Sequence, residues 1–213
     1  MRKSRVLYGV GVLCMSALML WPLPLEATVE EQRARLPPPA ECQDPVEGIW
    51  LAHHFTARQR QWYLFTLTIR RTEPKSPTLK GEIESHFWDG GPKDLRPPLP
   101  CKPGVDEQIV DMPAKGLYDG TKVQFGGTSW KRRPAICGRA SGTYYADSFS
   151  GVIDPKTQEF QSVNNDGGPA VNEPTVFRRI RCFETIPPPP TPGGPDVKPP
   201  PFEPPKRLGC GKS

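Results

Sequence analysis

Apolar and polar residues alternate with a period of two through the middle of the chain, most clearly between Trp62 and Trp88. Tyr63, Phe65, Leu67 and Ile69 fall on one face of an extended segment, and Thr66, Thr68 and Arg70 on the other. After a polar turn (TEPKSPT), Leu79, Gly81, Ile83, Ser85 and Phe87 share one face, and Lys80, Glu82, Glu84 and His86 the opposite one. The pattern predicts a long antiparallel hairpin with one buried and one wet side. It also predicts that Tyr63, Phe65, Leu67, Ile69 and Ile83 are buried together. Pro74 and Pro77 sit in the turn, where a missing ladder donor does no harm.

The same signals place strands on both sides of this hairpin. A first strand opens at Gly48-Ile49-Trp50-Leu51 and runs to about Phe55. Asp89-Gly90-Gly91-Pro92 ends the hairpin, and the Pro-dense residues 93–104 read as a loop carrying Cys101. Short strands are predicted at 108–112, 115–118, 122–125, 142–145, 148–153 and 159–163. Asp119-Gly120 and Asp154-Pro155 mark tight turns. Residues 164–174 form a polar loop. A closing strand spans 175–182, with Phe177 on one face and Val176 and Ile180 on the other. No helical periodicity is evident. The expected fold is all-β: an antiparallel meander of about eight strands, closed or nearly closed into a barrel. Closure would also remove the exposed edges that strands this apolar could not leave free.

Two stretches carry a resemblance at this point. Gly48-Ile49-Trp50, followed by Leu79-Lys80-Gly81-Glu82-Ile83-Glu84-Ser85, resembles the opening of avidin-type barrels, and lipocalin-type barrels also begin with Gly-x-Trp. The resemblance covers about 40 residues and implies a calycin-type, eight-stranded up-and-down barrel able to hold a small ligand. It carries over no ligand residues.

Composition divides the chain. Residues 1–27 read as a secretory signal: Arg2, Lys3 and Arg5 precede an apolar run, Pro22 and Pro24 break it, and Ala27 suits the last position before cleavage. An uncleaved anchor and lipidation at Cys14 are the competing readings and the only expected routes to a membrane. Residues 28–41 read as an extended linker, 42–182 as the barrel domain and 183–213 as a disordered proline-rich tail. Eleven prolines lie between Pro187 and Pro205. The formal charge of +5 falls to about +3 without the signal, and the basic runs Lys131-Arg132-Arg133 and Arg178-Arg179 are short. Nucleic-acid binding is not expected. Export to the periplasm, the envelope or the medium is expected.

Five cysteines remain after the signal. In an exported chain they read as disulfides, and no CxxC spacing points to zinc or redox chemistry. The preferred pairs are Cys42–Cys182, which brackets the domain, and Cys101–Cys137, which ties two Pro-rich loops. Cys210 is left over on the tail.

Catalytic signatures are weak. His53 and His54 point to opposite strand faces, and neither has the converging partners a metal site needs. His54 and His86 could meet on neighbouring strands with Glu84 near. There is no G-x-S-x-G, and the terminal GCGKS lacks the upstream glycine of a P-loop. Glu82 and Glu84 share a strand face, so a hydrolase using Glu82, Glu84 or His86 is an alternative. No cofactor or metal is expected. Candidate binding residues come from the most polar loop: Asn164, Asn165, Asp166, Asn172 and Glu173. The leading expectation is a non-enzymatic barrel taking a small ligand or an envelope polymer at its mouth. The other alternative is a structural module tethered through the proline-rich tail.

Overall fold

A computed structural model describes residues 28–138, 142–167 and 172–183. The predicted hairpin is present as β2 (Gln61–Arg71) and β3 (Thr78–Asp89), in continuous register from Gln61↔Asp89 to Arg71↔Leu79. Phe65, Leu67, Ile69 and Ile83 are buried in one cluster, and Tyr63 packs against it. Around the hairpin stand β1 (Gly48–Thr56), β4 (Glu107–Tyr118), β5 (Lys122–Gly127), β7 (Ser148–Asp154), β8 (Glu159–Asn164) and β9 (Pro174–Arg181). They follow the order β3-β2-β1-β9-β8-β7-β5-β4, and β4 pairs back onto β3. The sheet is therefore a closed eight-stranded antiparallel barrel. The two-residue β6 (Lys131–Arg132) adds to β4 beyond the end of β5.

Residues 108–112 and 115–118 are one strand, not two. Pro113 lies in the middle of β4, where its partner strand breaks between β5 and β6. The Pro113 carbonyl accepts from Thr128 N at 2.8 Å on that side, and no ladder bond needs the missing donor. Residues 142–145 are not a strand; they belong to a loop that bends over the barrel.

A helix also stands where extended chain was expected. α1 (Val29–Arg35) opens with a capping box between Thr28 and Glu31, bonded at 3.2 and 3.0 Å. It covers a gap in the barrel wall. β1 pairs β9 only near Ile49–Leu51, and beyond that the two strands separate. Gln32 fills the space. Its amide donates to the Pro174 carbonyl and accepts from Val176 N, both at 2.9 Å, so its side chain replaces a ladder rung of β9. Arg35 serves β1 in the same way, donating to the His53 carbonyl at 3.1 Å. Arg33 fixes the helix to the buried Glu159 at 2.7 Å, and Arg178 holds the same carboxylate at 2.7 Å.

The two ends of the barrel differ. The β2–β3, β4–β5 and β7–β8 turns are tight and lie at the base. There Arg179, 1% exposed, lies over the Trp50 ring at 5.1 Å and donates to the Asp44 and Glu47 carbonyls and to Gln158. Both chain ends of the barrel meet at this base, where the predicted Cys42–Cys182 disulfide joins them at a Cα separation of 5.4 Å. The four-residue β1–β2 turn and the longer β3–β4, β6–β7 and β8–β9 connections emerge at the other end. The predicted Cys101–Cys137 disulfide ties two of them together.

Candidate functional site

The inward-facing stripe of each strand changes character along the barrel. On β1 it runs Trp50, Ala52, His54, Thr56 from base to mouth. On β2, read in the same direction, it runs Ile69, Leu67, Phe65, Tyr63. On β8 it runs Phe160, Ser162, Asn164, and on β9 Phe177, Thr175 and then Glu173 just before the strand. Apolar side chains fill the base, where Trp50, Leu67, Phe149 and Phe177 have no exposed surface. The mouth ends of these four stripes carry hydrogen-bonding groups and do not fill the available width. A cavity of about 200 Å³ remains, open at the mouth.

Its two walls are chemically distinct. β2 and β3 supply aromatic rings: Tyr63 stacks on Phe65 at 5.5 Å and contacts Phe87 at 5.6 Å, and Phe87 stacks on Tyr144 at 6.0 Å. The strands from β1 round to β7 supply hydrogen-bonding groups. Glu173 binds His54 Nε2 at 2.9 Å and accepts from the Thr56 hydroxyl at 2.8 Å. This carboxylate thus spans, from inside, the gap that α1 covers from outside. His54 Nδ1 is buried with no partner among the described residues. Asp147 accepts from the Tyr144 hydroxyl at 2.5 Å and from the Asn164 amide at 3.1 Å, and Asn164 also donates to Asp166 at 3.2 Å.

Burial and mutual repulsion set the electrostatics. Desolvation, with the Asp166 charge behind it, pushes the Asp147 carboxyl up to about 7 against the hydrogen bonds from Tyr144 and Asn164. Burial also raises the Tyr63 phenol, and the charges of Asp147, Glu173, Asp166 and Asp89 add to it in that order. Burial works against the Glu173 charge too, but the hydrogen bonds from His54 and Thr56 prevail and hold it below the ordinary carboxylate range. Among the described residues, one arginine, Arg132, lines the cavity.

The candidate loop residues divide. Asn164, Asp166 and Glu173 line the cavity. Asn165 is exposed and bonds outward to the Ser150 hydroxyl at 2.8 Å. Asn172 is exposed and turns the chain with a φ of 68°. Sequence reasoning missed His54, Tyr63, Phe87, Tyr144 and Asp147 as mouth residues. The signal for Tyr63 and Phe87 was available: both lie at one end of an inward stripe.

His54 and His86 do not meet, because β2 lies between their strands. His54 faces inward, whereas His86 pairs with the buried Glu107 at 2.9 Å. Glu84 is held at 2.7 Å by Arg133, which also binds Asp111. Neither cavity described here is lined by Glu82, Glu84 or His86. The second cavity, about 500 Å³, is a surface recess between Gln59-Arg60 and the 90–105 loop. The sulfurs of Cys101 and Cys137 lie within 4.8 Å of a Glu107 oxygen, but they are bonded to each other and so are not thiolate ligands.

The fold and the mouth together define a closed barrel with a partly filled, polar-rimmed interior. No family model matches the chain, and no curated protein or solved structure is significantly similar to it.

Proposed function

We propose that this is an exported, non-enzymatic binding domain that takes a small molecule, or the terminal unit of a surface polymer, into the barrel mouth. The observation that carries this is the unfilled mouth. The inward stripes that pack the base switch to hydrogen-bonding groups and leave about 200 Å³ open beside them. A barrel that served only as a folded module would gain stability by filling that space with apolar side chains. The two disulfides support an oxidising compartment. Binding is preferred to turnover because Glu173 draws His54 and Thr56 onto one oxygen across the gap in the wall. That arrangement turns the imidazole toward the carboxylate and not toward the Thr56 hydroxyl, so His54 is not placed as its base.

A small-molecule library screened by thermal shift against the oxidised full-length protein tests the proposal. Ligands should raise the melting temperature of the native chain and fail to raise that of Thr175→Trp, which fills the mouth from β9. An absence of any stabilising ligand, or stabilisation that survives the filled mouth, would overturn it.

A further inference from the structure

We infer that the mouth is built for a small protonated amine carrying an aromatic or similarly flat apolar body. The inference rests on the binding reading above and names the ligand class for that site. Three observations converge on it.

The first is the division of the walls. β2 and β3 present the faces and edges of Tyr63, Phe65 and Phe87, extended by Tyr144. The arc from β1 to β7 presents Glu173, Asp166 and Asp147. A ligand spanning the cavity meets rings on one side and carboxyl groups on the other, and an arylalkyl ammonium ion matches both.

The second is charge. Among the described residues, three carboxyl groups and one arginine line the cavity. Arg132 donates to the Gly142 carbonyl at 2.7 Å and lies over Trp130 at 5.3 Å, neutral partners that leave its charge to offset one of the three carboxylates. Arg58 acts on Glu173 from the β1–β2 turn but does not line the cavity. The Tyr63 phenol, between the two walls, is destabilised as an anion by all three lining carboxylates. The same negative potential would hold a cation there.

The third is size. A volume of about 200 Å³ lies below the ~300–1,000 Å³ of pockets that take drug-sized molecules. It would hold about seven waters at ~30 Å³ each. A single-ring amine fits within these bounds, whereas a long lipid chain or a fused-ring cofactor would protrude through the open mouth. His54 Nδ1, buried and without a partner among the described residues, offers the bound molecule one further hydrogen bond beside Glu173.

The test uses three probes of nearly equal size: 2-phenylethylamine, 2-phenylethanol and phenylacetate. Their binding to the oxidised full-length protein is measured by calorimetry at pH 8. The amine should bind at least tenfold more tightly than the alcohol, and phenylacetate more weakly than both. Glu173→Gln and Asp147→Asn should each weaken the amine about tenfold while leaving the alcohol within about twofold. Should these variants misfold, the comparison of the three probes on the native chain still decides. Equal or tighter binding of the alcohol or the acid would overturn the amine inference and leave the mouth as a binding site. Failure of all three probes alongside library ligands that do bind there would overturn the inference likewise. Failure of every ligand would remove the binding reading itself.

Discussion

Asp147 is a carboxyl group enclosed by the barrel, and its cost is readable as pH dependence. Burial, with Asp166 nearby, raises it from an ordinary aspartate value to about 7 in the folded chain. A carboxyl whose pKa is higher folded than unfolded favours the folded state fully below its unfolded value, near 4, and that contribution is lost as pH rises through 7. Asp147→Asn keeps the acceptor for Tyr144 but cannot ionise. The variant should gain stability relative to the native chain between pH 4 and pH 8, by ~2–4 kcal/mol at the upper end. Urea titrations of both proteins at several pH values would measure this, and a pH-independent difference would count against the buried ionisation. His53 runs the other way: burial, then Arg35 and His54, depress it to about 4, so it favours folding above about 6.5 and loses that effect as pH falls through 4. It is common to both proteins and cancels in the difference. None of the Asp147 chemistry was legible in the sequence. Its burial depends on Tyr144, from a loop, and Asn164, from β8, meeting around it, and no local pattern reports such a meeting. The orientation of His54 was legible, because alternation places it opposite His53.

The hairpin was the most legible element, because one period-two stripe fixes both the strand and its buried face. Strand β4 was split in the sequence reading at Pro113, since proline normally argues against an interior strand position. The reading failed because the interruption lies in the neighbouring strand, and that is a tertiary fact. Helix α1 was hidden by the prolines that follow it, although Thr28 and Glu31 at capping-box spacing were visible. Its value lies in what Gln32 does for a strand that has lost its neighbour. Gln32→Ala would leave the Pro174 carbonyl and the Val176 amide without their partner at a buried position. The expected loss is about 2 kcal/mol. Hydrogen exchange should accelerate first at Val176, ahead of amides such as Gly151 in β7, where both neighbouring strands remain paired. Uniform acceleration across the barrel would mean that α1 supports the fold only globally.

At the scale of the molecule, the barrel follows from strands that pair in sequence order and a last strand that returns to the first. The all-β class and the closure were both legible from the spacing of strands and turns. The location of the mouth was not, although a clue was present. The three longest connections, after β3, before β7 and after β8, fall at alternate places along the chain, and in an up-and-down meander alternate connections share an end. The three longest loops therefore mark the mouth, and the short 57–60 turn joins them by its place in the alternation. The binding residues follow from the ends of the inward stripes at the long-loop side, and not from the most polar loop taken by itself.

The disulfide at the base has one more consequence. Cys42 and Cys182 are 140 residues apart in sequence. Their bond makes the whole domain a covalent ring, with the strands as its circumference. A ring cut once becomes a line but sheds nothing. A protease that nicks any single connection should leave one species on a non-reducing gel and two fragments only after reduction. The eight strands could then stay laced by their neighbours, and the barrel would tolerate new chain ends at its rim. Release of a fragment without reductant after a single cut would show that the ring is not closed in the native protein.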